Sequence, residues 1–307
     1  CSEIILRSRE FCNLSEVVIR RNDTRESLKA KVKHATILGT FQSTLTDFKY
    51  LSREWKRNCD EERLLGVSLT GIMDNPLTNG SKNGLKELLE ELRDVAYETN
   101  KEWADRLGIP HAAAITCVKP SGTVSQLVDS ASGIHARHNP FYIRTVRADN
   151  KDPLCKLMQE MGFPNEPDVT KPDHTTVFSF PMKSPKDAVF RMDMSALEQL
   201  ELWKTYQESW CEHKPSVTIS VKEDEWVDVA AWVFENFDSI SGISFLPFSE
   251  HVYRQAPYQD CTEEEYNEAL GNMPKNVDWA ELSKYESQDY TVSSQELACV
   301  AGGCEVI

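Results

Sequence analysis

A thiol and a carboxylate stand two residues apart at the start of the chain, in Cys1-Ser2-Glu3, and a second thiol follows at Cys12. In an extended segment, residues two apart carry their side chains to the same side, so Cys1 and Glu3 can act on one substrate. A thiol can carry an electron or a hydrogen atom while a neighbouring carboxylate moves protons. The alternative is that Cys1 is left by processing and that Cys12 is a small buried side chain.

A second pair of thiols lies near the end of the chain. Cys299 and Cys304 are separated by Val-Ala-Gly-Gly, and the paired glycines allow the sharp turn that would bring the two sulfurs together. A dithiol on a mobile tail can exchange with an inner disulfide and then with an external reductant. Two alternatives stay open: half of a zinc site, for which no further ligands stand nearby, and incidental thiols.

The segment Lys119-Pro-Ser-Gly-Thr-Val-Ser125 follows a predicted strand and precedes a stretch that is compatible with a helix. Gly122 lets the backbone approach a ligand, and hydroxyls together with free N–H groups at the start of a helix favour an anion. The segment is not a Walker A loop, because it lacks the Gly-Lys-Ser/Thr ending. The alternative is an ordinary turn in which Ser125 is the N-cap residue.

The remaining polar and sulfur-containing residues favour structural roles. His135, Arg137 and His138 lie in one polar loop but lack the spacing of metal ligands, so we predict a structural loop and no metal site. Five cysteines have no partner visible in the sequence and are expected to be packing residues. They are Cys59, Cys117, Cys155, Cys211 and Cys261.

The elements that must position these residues alternate between strands and helices. Such alternation indicates βα units around a largely parallel sheet or barrel, which makes the fold class α/β. Apolar runs predict strands at Leu14–Arg20, Leu64–Ile72, Ala112–Val118, Tyr142–Val146, Thr176–Phe180, Val217–Val221 and Ile243–Leu246. Apolar steps of three or four predict a helix of about 25 residues after Asp23, and further helices at Leu85–Leu107, Pro153–Met161, Ser195–Cys211 and Glu223–Phe237.

The composition excludes several classes of protein. The chain of 307 residues has 34 Lys plus Arg against 49 Asp plus Glu, a formal charge of −15 that argues against a general nucleic-acid binder. No apolar run approaches the ~18 residues of a membrane span. Nine cysteines, an odd number, do not indicate a disulfide framework, and no secretory signal opens the chain, so a reducing cytoplasm is expected.

Taken together, these motifs resemble the catalytic subunit of ribonucleotide reductase, and most closely its class II, adenosylcobalamin-dependent type. The resemblance covers essentially the whole chain and corresponds to the C-terminal half of that enzyme. It implies the C-terminal half of a ten-stranded α/β barrel at residues 1–250, a helical extension at 251–287 and a flexible redox tail at 288–307. Its ordered motifs are Cys1-Ser-Glu3, Cys12-Asn-Leu-Ser-Glu16, Pro120–Ser125, Gly242–Pro247 and the pair Cys299 and Cys304.

The resemblance also implies a role for each motif in the conversion of ribonucleotides to 2′-deoxyribonucleotides. Cys1 would become a thiyl radical that abstracts the ribose 3′-hydrogen, and Glu3 would take the 3′-hydroxyl proton while the 2′-hydroxyl leaves as water. Cys12 would be one of two cysteines that supply the reducing equivalents. Cys299 and Cys304 would re-reduce the resulting disulfide and be reset by thioredoxin. The substrate phosphates would lie on Pro120, Ser121, Gly122, Thr123, Val124 and Ser125.

The implied cofactor is adenosylcobalamin, since the chain has neither the Tyr-Tyr pair of class I enzymes nor the C-terminal glycine motif of the glycyl-radical class. The family motif Asn-Pro-Cys-x-Glu begins here at its cysteine, and the other active-site cysteine is missing. We therefore expect the chain to work with an N-terminal partner half, from a split or intein-interrupted gene. The alternatives are a non-catalytic extein or assembly fragment, and a stand-alone dithiol oxidoreductase using Cys299 and Cys304.

Overall fold

The computed structural model describes residues 3–248 and 253–286. These residues form two compact units, of which the first contains residues 3–137 and 185–248 and the second contains residues 138–184 and 253–286. The second unit is therefore built partly from a segment inserted into the first. Within the described ranges, no helix combines the length and the apolar character needed to cross a membrane.

Strands and helices alternate along the chain. The strands are β1 (Asn13–Val18), β2 (Leu65–Thr70), β3 (Thr116–Cys117), β4 (Phe141–Asp149), β5 (Asn165–Pro167), β6 (Thr175–Lys183), β7 (Val217–Val221), β8 (Ile243–Pro247) and β9 (Tyr258–Asp260). The α-helices are α1 (Arg25–Gln42), α2 (Arg53–Glu62), α3 (Leu85–Leu107), α4 (Gly122–Leu127), α5 (Pro153–Glu160), α6 (Ala196–Ser209), α7 (Trp226–Glu235) and α8 (Glu263–Gly271). Short 3₁₀ helices lie at Ile72–Asp74, Glu223–Glu225, Phe237–Ser239 and Trp279–Lys284.

All strands of the first unit that pair with one another do so in parallel. β1, β2 and β3 form one sheet in that order, and β7 pairs with β8. A parallel bridge between Val118 and Pro215 links the end of β3 to the residues before β7, with Ser216 N donating to Val118 O at 2.8 Å. The five strands therefore follow one another in the order β1, β2, β3, β7, β8.

One face of these strands packs on helices. Helix α1 begins at its N-cap Thr24, whose hydroxyl accepts from Ser27 N, and α3 ends at Gly108 in the left-handed conformation. Their apolar sides join those of α6 and α7 over the sheet. The largest fully buried side chains of this core are Trp203, Tyr206 and Trp210.

The second unit contains an antiparallel sheet, in which β4 and β6 include the predicted strands Tyr142–Val146 and Thr176–Phe180 but pair in a direction that was not predicted. Its strands follow the order β5, β6, β4, β9, and every pairing is antiparallel. The expectation of a largely parallel sheet is thus wrong for this unit. Hydrophobic periodicity identifies a strand but not the direction of its partner, which depends on the connection between them. Helices α5 and α8 lie in the same unit.

The fold class α/β is confirmed. The helix expected to run for about 25 residues after Asp23 is wrong in length, because α1 ends at Gln42 and Ser43 turns the chain. A separate helix, α2, follows at Arg53–Glu62, where no apolar stripe predicts one.

Candidate active site

The site is built on the face of the parallel strands that points away from the helices. Successive side chains of a strand alternate between the two faces, so Val17 packs into the core while Glu16 points to the other side. Glu16 pairs in register with Ser68, and Ser68 pairs with Cys117. Parallel strands are ordinarily apolar on both faces, so this row of polar and small residues marks a functional face.

Two of the predicted catalytic residues, Glu3 and Cys12, lie next to this face. Glu3 is held by its backbone, because its carbonyl oxygen accepts a hydrogen bond from Lys214 N at 3.1 Å. Cys12 immediately precedes β1 and is half-buried. Burial raises the pKa of Cys12, and the negative charge of Glu3 raises it further. The same two causes raise the pKa of Cys117, so one carboxylate acts on both thiols.

A cavity of about 260 Å³ opens beside Cys12. One of its walls is Cys59, whose sulfur accepts a hydrogen bond from Phe11 N at 3.3 Å. From its sequence position Cys59 is expected to be a packing residue, and only the fold places it near Cys12. The cavity is lined by Phe11, Cys12, Asn13, Gln42, Ser43, Leu45, Thr46, Phe48 and Cys59.

The predicted phosphate-binding residues form the turn between β3 and α4. Ser121 is the N-cap of α4, with φ 48° and ψ 46°, so the alternative in which Ser125 caps the helix is wrong. Ser125 is buried and its hydroxyl donates to Gly122 O at 3.0 Å. Residues 122–124 are exposed, and the first N–H groups of a helix have no partner within it. The turn therefore offers backbone donors to an anion.

Beneath this turn lies a buried carboxylate that sequence reasoning missed. The Glu16 side chain is only 7 % exposed, and Lys119 Nζ lies 3.8 Å from its Oε1. Burial raises the pKa of Glu16, while Ser121 and Lys119 lower it less. No hydrogen bond of ordinary geometry reaches either of its oxygens. The one signal in the sequence was a charged residue in the middle of an apolar strand.

The loop with His135 and Arg137 supports the sheet, as the sequence predicted. Arg137 Nε lies 2.9 Å from Asp74 Oδ1, and its Nη2 lies 3.0 Å from Asp74 Oδ2. His135 Nε2 accepts from Thr218 N on β7. In the second unit, His138 Nε2 lies 2.6 Å from Asp260 Oδ1. Within residues 3–248 and 253–286, no group of three or more His, Cys, Asp or Glu side chains could hold a metal ion.

Three residues of the predicted site, Cys1, Cys299 and Cys304, lie outside the described residues. The structure brings Glu3 close to Cys12, and it places the loop Pro120–Ser125 after β3 of the same sheet, two strands away from β1. The motif Gly242–Pro247 forms β8 and the residue before it.

Comparison with solved structures identifies the fold as that of ribonucleotide reductase catalytic chains. A B12-dependent (class II) ribonucleotide reductase superposes with a TM-score of 0.77, over 92% of this chain and 43% of that chain, at 21% sequence identity. The class Id α subunit from Actinobacillus ureae superposes with a TM-score of 0.51, over 78% of this chain and 50% of that chain, at 14% identity.

The sequence comparisons show which type of ribonucleotide reductase the chain is similar to. The chain is 29% identical over 281 residues to the adenosylcobalamin-dependent ribonucleoside-triphosphate reductase of Euglena gracilis, covering 90% of this chain and 38% of the relative. The enzyme of the same name from Lactobacillus gasseri is 25% identical over 340 residues, covering 100% and 44%. No family model matches. The resemblance inferred from the motifs is confirmed: the homologues of this chain are adenosylcobalamin-dependent reductases. The chain spans less than half the length of these relatives.

Proposed function

We propose that the chain is the C-terminal catalytic part of an adenosylcobalamin-dependent ribonucleotide reductase, which converts ribonucleoside triphosphates to 2′-deoxyribonucleotides. The observation that carries the proposal is the shared sheet. Cys12 directly precedes β1 and lies close to the Glu3 carboxylate. The proposed anion-binding turn Pro120–Ser125 follows β3, two strands away in the same sheet. A nucleotide whose phosphates lie on the turn would extend its ribose over the same sheet face.

The five parallel strands support the proposed barrel half. β1 pairs with one neighbour only, β2, and β8 pairs only with β7 among the strands described. Such sheets are ordinarily closed or covered at their edges. In the proposal, these edges belong to one half of a ten-stranded barrel, and the other half completes it.

The proposed chemistry divides between thiols and one carboxylate. Cys1, as a thiyl radical, abstracts the ribose 3′-hydrogen, and Glu3 accepts the 3′-hydroxyl proton as the 2′-hydroxyl leaves as water. Cys12 and a cysteine of the complementing half give up two electrons and become a disulfide, which balances the reduction of the ribose. The raised pKa of Cys12 supports this role, because it keeps the sulfur protonated near neutral pH and able to give a proton to the leaving hydroxyl.

Regeneration of the active site needs a second exchange. In the proposal, Cys299 and Cys304 reduce the disulfide of Cys12 by thiol-disulfide exchange, and their own disulfide is then reduced by thioredoxin or a similar dithiol. The six described cysteines are all free thiols, which supports a reducing, cytoplasmic location.

The chemistry that adenosylcobalamin would supply when bound is the radical that oxidises Cys1. The proposed task of the chain is to present Cys1, to hold the ribose with Glu3 and to hold the phosphates on Pro120–Ser125.

The proposal includes a partner. The matched relatives are more than twice as long as the matched region, which supports a further stretch of polypeptide that completes the proposed barrel. We propose an N-terminal half of the same reductase, supplied by a split or intein-interrupted gene. It would provide the second cysteine of the active-site pair.

The testing experiment measures reduction of radiolabelled CTP by the 307-residue chain with adenosylcobalamin and dithiothreitol, with and without the N-terminal half of the reductase. We expect deoxycytidine triphosphate in the mixture. Cys1→Ala should abolish the product, while Cys155→Ala, at a buried thiol of the second unit, should retain it. A folded mixture that forms no product would refute the function, and turnover by Cys1→Ala would refute the thiyl assignment.

A further inference from the structure

The carboxylate of Glu16 has no established task in the proposed chemistry, although its position is unusual. It lies on β1 beneath the turn Pro120–Ser125, with a side chain that is 7 % exposed. A buried carboxylate ordinarily has hydrogen-bond donors or a close cation, because desolvation of an unpaired charge is costly. Here no hydrogen bond of ordinary geometry reaches either oxygen, although the Ser121 hydroxyl lies close enough to lower the pKa of Glu16.

The nearest cation is Lys119, the residue that immediately precedes the turn Pro120–Ser125. Its Nζ is 3.8 Å from Glu16 Oε1, beyond hydrogen-bond distance, and its side chain is 18 % exposed. Its backbone is fixed by a hydrogen bond from Lys119 N to Ser68 Oγ at 3.0 Å. If a phosphate lies on the turn that Lys119 precedes, this one ammonium would act on two negative groups, the Glu16 carboxylate and the phosphate.

The ionisation state of Glu16 affects how strongly Lys119 can attract a phosphate. The chain carries a formal charge of −15, which disfavours the binding of a polyanion. A nearby cation such as the Lys119 ammonium is therefore needed to hold a phosphate. If Glu16 stayed ionised beneath a bound phosphate, it would repel the phosphate in a poorly solvated place and would neutralise the Lys119 charge. A proton on Glu16 removes both effects. The charged and titratable groups that act on Glu16, or on which it acts, are Lys119 and the Cys117 thiol.

We propose that Glu16 is a charge-compensating residue of the turn, which takes up a proton from solvent when a nucleotide phosphate occupies Pro120–Ser125 and so leaves the Lys119 ammonium to the phosphate. This inference rests on the proposed function, since it assumes that the turn binds phosphate. The raised pKa of Glu16 agrees with it, because a carboxyl group already displaced upward needs a smaller further shift to hold a proton near neutral pH.

The experiment is isothermal titration of the full chain with inorganic tripolyphosphate, and separately with CTP, in buffers of different ionisation enthalpy across a range of pH. Wild type should take up protons on binding, and its affinity should fall by up to about tenfold per pH unit as the pH rises above the pKa of Glu16. Glu16→Gln should bind at high pH as tightly as wild type does at low pH, with the extra proton uptake lost.

Two further variants serve as a control for Glu16→Gln and as a test of the role of Lys119. Glu102→Gln, which removes an exposed carboxylate from α3, should behave as wild type. Lys119→Met should weaken the binding of both probes by tenfold or more, because the phosphate loses its cation. If Glu16→Gln fails to fold, the infrared carboxyl band of a protonated acid should appear in wild type when tripolyphosphate is added, and its absence would overturn the inference.

The outcomes separate this inference from the function on which it rests. Binding of both probes with equal proton uptake in wild type and Glu16→Gln would overturn the role of Glu16 and leave the phosphate site standing. No binding of either probe at any pH would overturn the phosphate site and the role of Glu16 together. Reduction of CTP by the completed enzyme would then still identify the reductase.

Discussion

His135 accepts a hydrogen bond from the backbone N–H of Thr218, with 3.0 Å between Nε2 and N, on β7, which among the described strands pairs with β8. The other ring nitrogen, Nδ1, lies 2.9 Å from Ser132 O. An acceptor at Nε2 and a donor at Nδ1 describe a neutral imidazole. The side chain thus binds the backbone of β7, and it does so only while it is uncharged.

This arrangement predicts a pH-dependent stability. Burial lowers the pKa of His135 in the folded chain, so the unfolded chain takes up the proton first as the pH falls. The stabilisation is therefore complete above pH about 6.5 and is lost as the pH falls through the folded pKa, by up to about 1.4 kcal/mol per pH unit. Urea unfolding between pH 7 and 5 should show a smaller slope for His135→Gln than for wild type.

The matched control is His34→Gln, which removes an exposed histidine from α1 and should leave the slope unchanged. Burial also lowers the pKa of His213, so part of the slope should remain in His135→Gln. Equal slopes for wild type and His135→Gln would contradict the role given to this imidazole.

The ion pair of Asp74 and Arg137 should be essential for stability. Both side chains are almost completely buried, and Ala131 N donates a third hydrogen bond to Asp74. Asp74→Ala leaves the Arg137 charge buried without its main partner, which should lower the free energy of unfolding by about 3–5 kcal/mol. Asp187→Ala, which breaks the exposed pair with Arg21, should cost under about 1 kcal/mol. Guanidinium unfolding measures both, and similar small losses would refute the difference.

Gly133 should be essential for the conformation of the residues that lead into the turn Pro120–Ser125. It has φ +54°, and a Cβ there would lie 2.6 Å from Lys119 O, a backbone atom. Gly133→Ala should therefore destabilise the chain by about 1–3 kcal/mol and displace the residue that leads into the turn. Gly122→Ala meets no atom within 4 Å and should leave thermal stability nearly unchanged. Equal melting temperatures for the two variants would contradict this prediction, because they would show that the backbone at residue 133 can shift to accommodate a Cβ.

Replacement of Cys299 and Cys304 should abolish repeated turnover but preserve a single turnover. Cys299→Ser combined with Cys304→Ser should stop repeated turnover with thioredoxin, since the active-site disulfide can no longer be reached by exchange. Prereduced enzyme should still complete about one turnover, measured as deoxynucleotide formed per chain in a quenched assay. Cys261→Ser, a half-buried thiol of the second unit, serves as control and should keep both activities. Equal loss in the two assays would point to a structural role for the pair.

The elements that could be predicted from the sequence are those with a strong local signal. Helix α3 lies at Leu85–Leu107 and strand β7 at Val217–Val221, both at the predicted bounds, because clear apolar periodicity and turn residues delimit them. Strand β3 is only Thr116–Cys117, shorter than predicted, because hydrogen bonds to the loop at 212–216 replace strand pairing. The antiparallel pairings of the second unit depend on contacts between distant segments, which no local pattern contains.

The sequence predicts those residues of the candidate site whose chemistry follows from the residue type alone. The thiol of Cys12, the carboxylate of Glu3 and the Gly122 turn can all be recognised singly. Glu16 and Cys117 could not, because their significance comes from the register that places them in one row with Ser68. A charged residue within an apolar strand was the one local sign.

The tryptophans give the two units different optical signals. Trp203 and Trp210 are fully buried in the core of the first unit, and the rings of Trp203 and Trp232 meet edge to face with centroids 6.5 Å apart. Such a rigid pair should produce a strong near-ultraviolet dichroism band and blue-shifted fluorescence. Trp279, the one tryptophan in the sequence of the second unit, is 53% exposed. Loss of the dichroism band therefore reports melting of the first unit alone, which makes the cooperativity between the units measurable without any label.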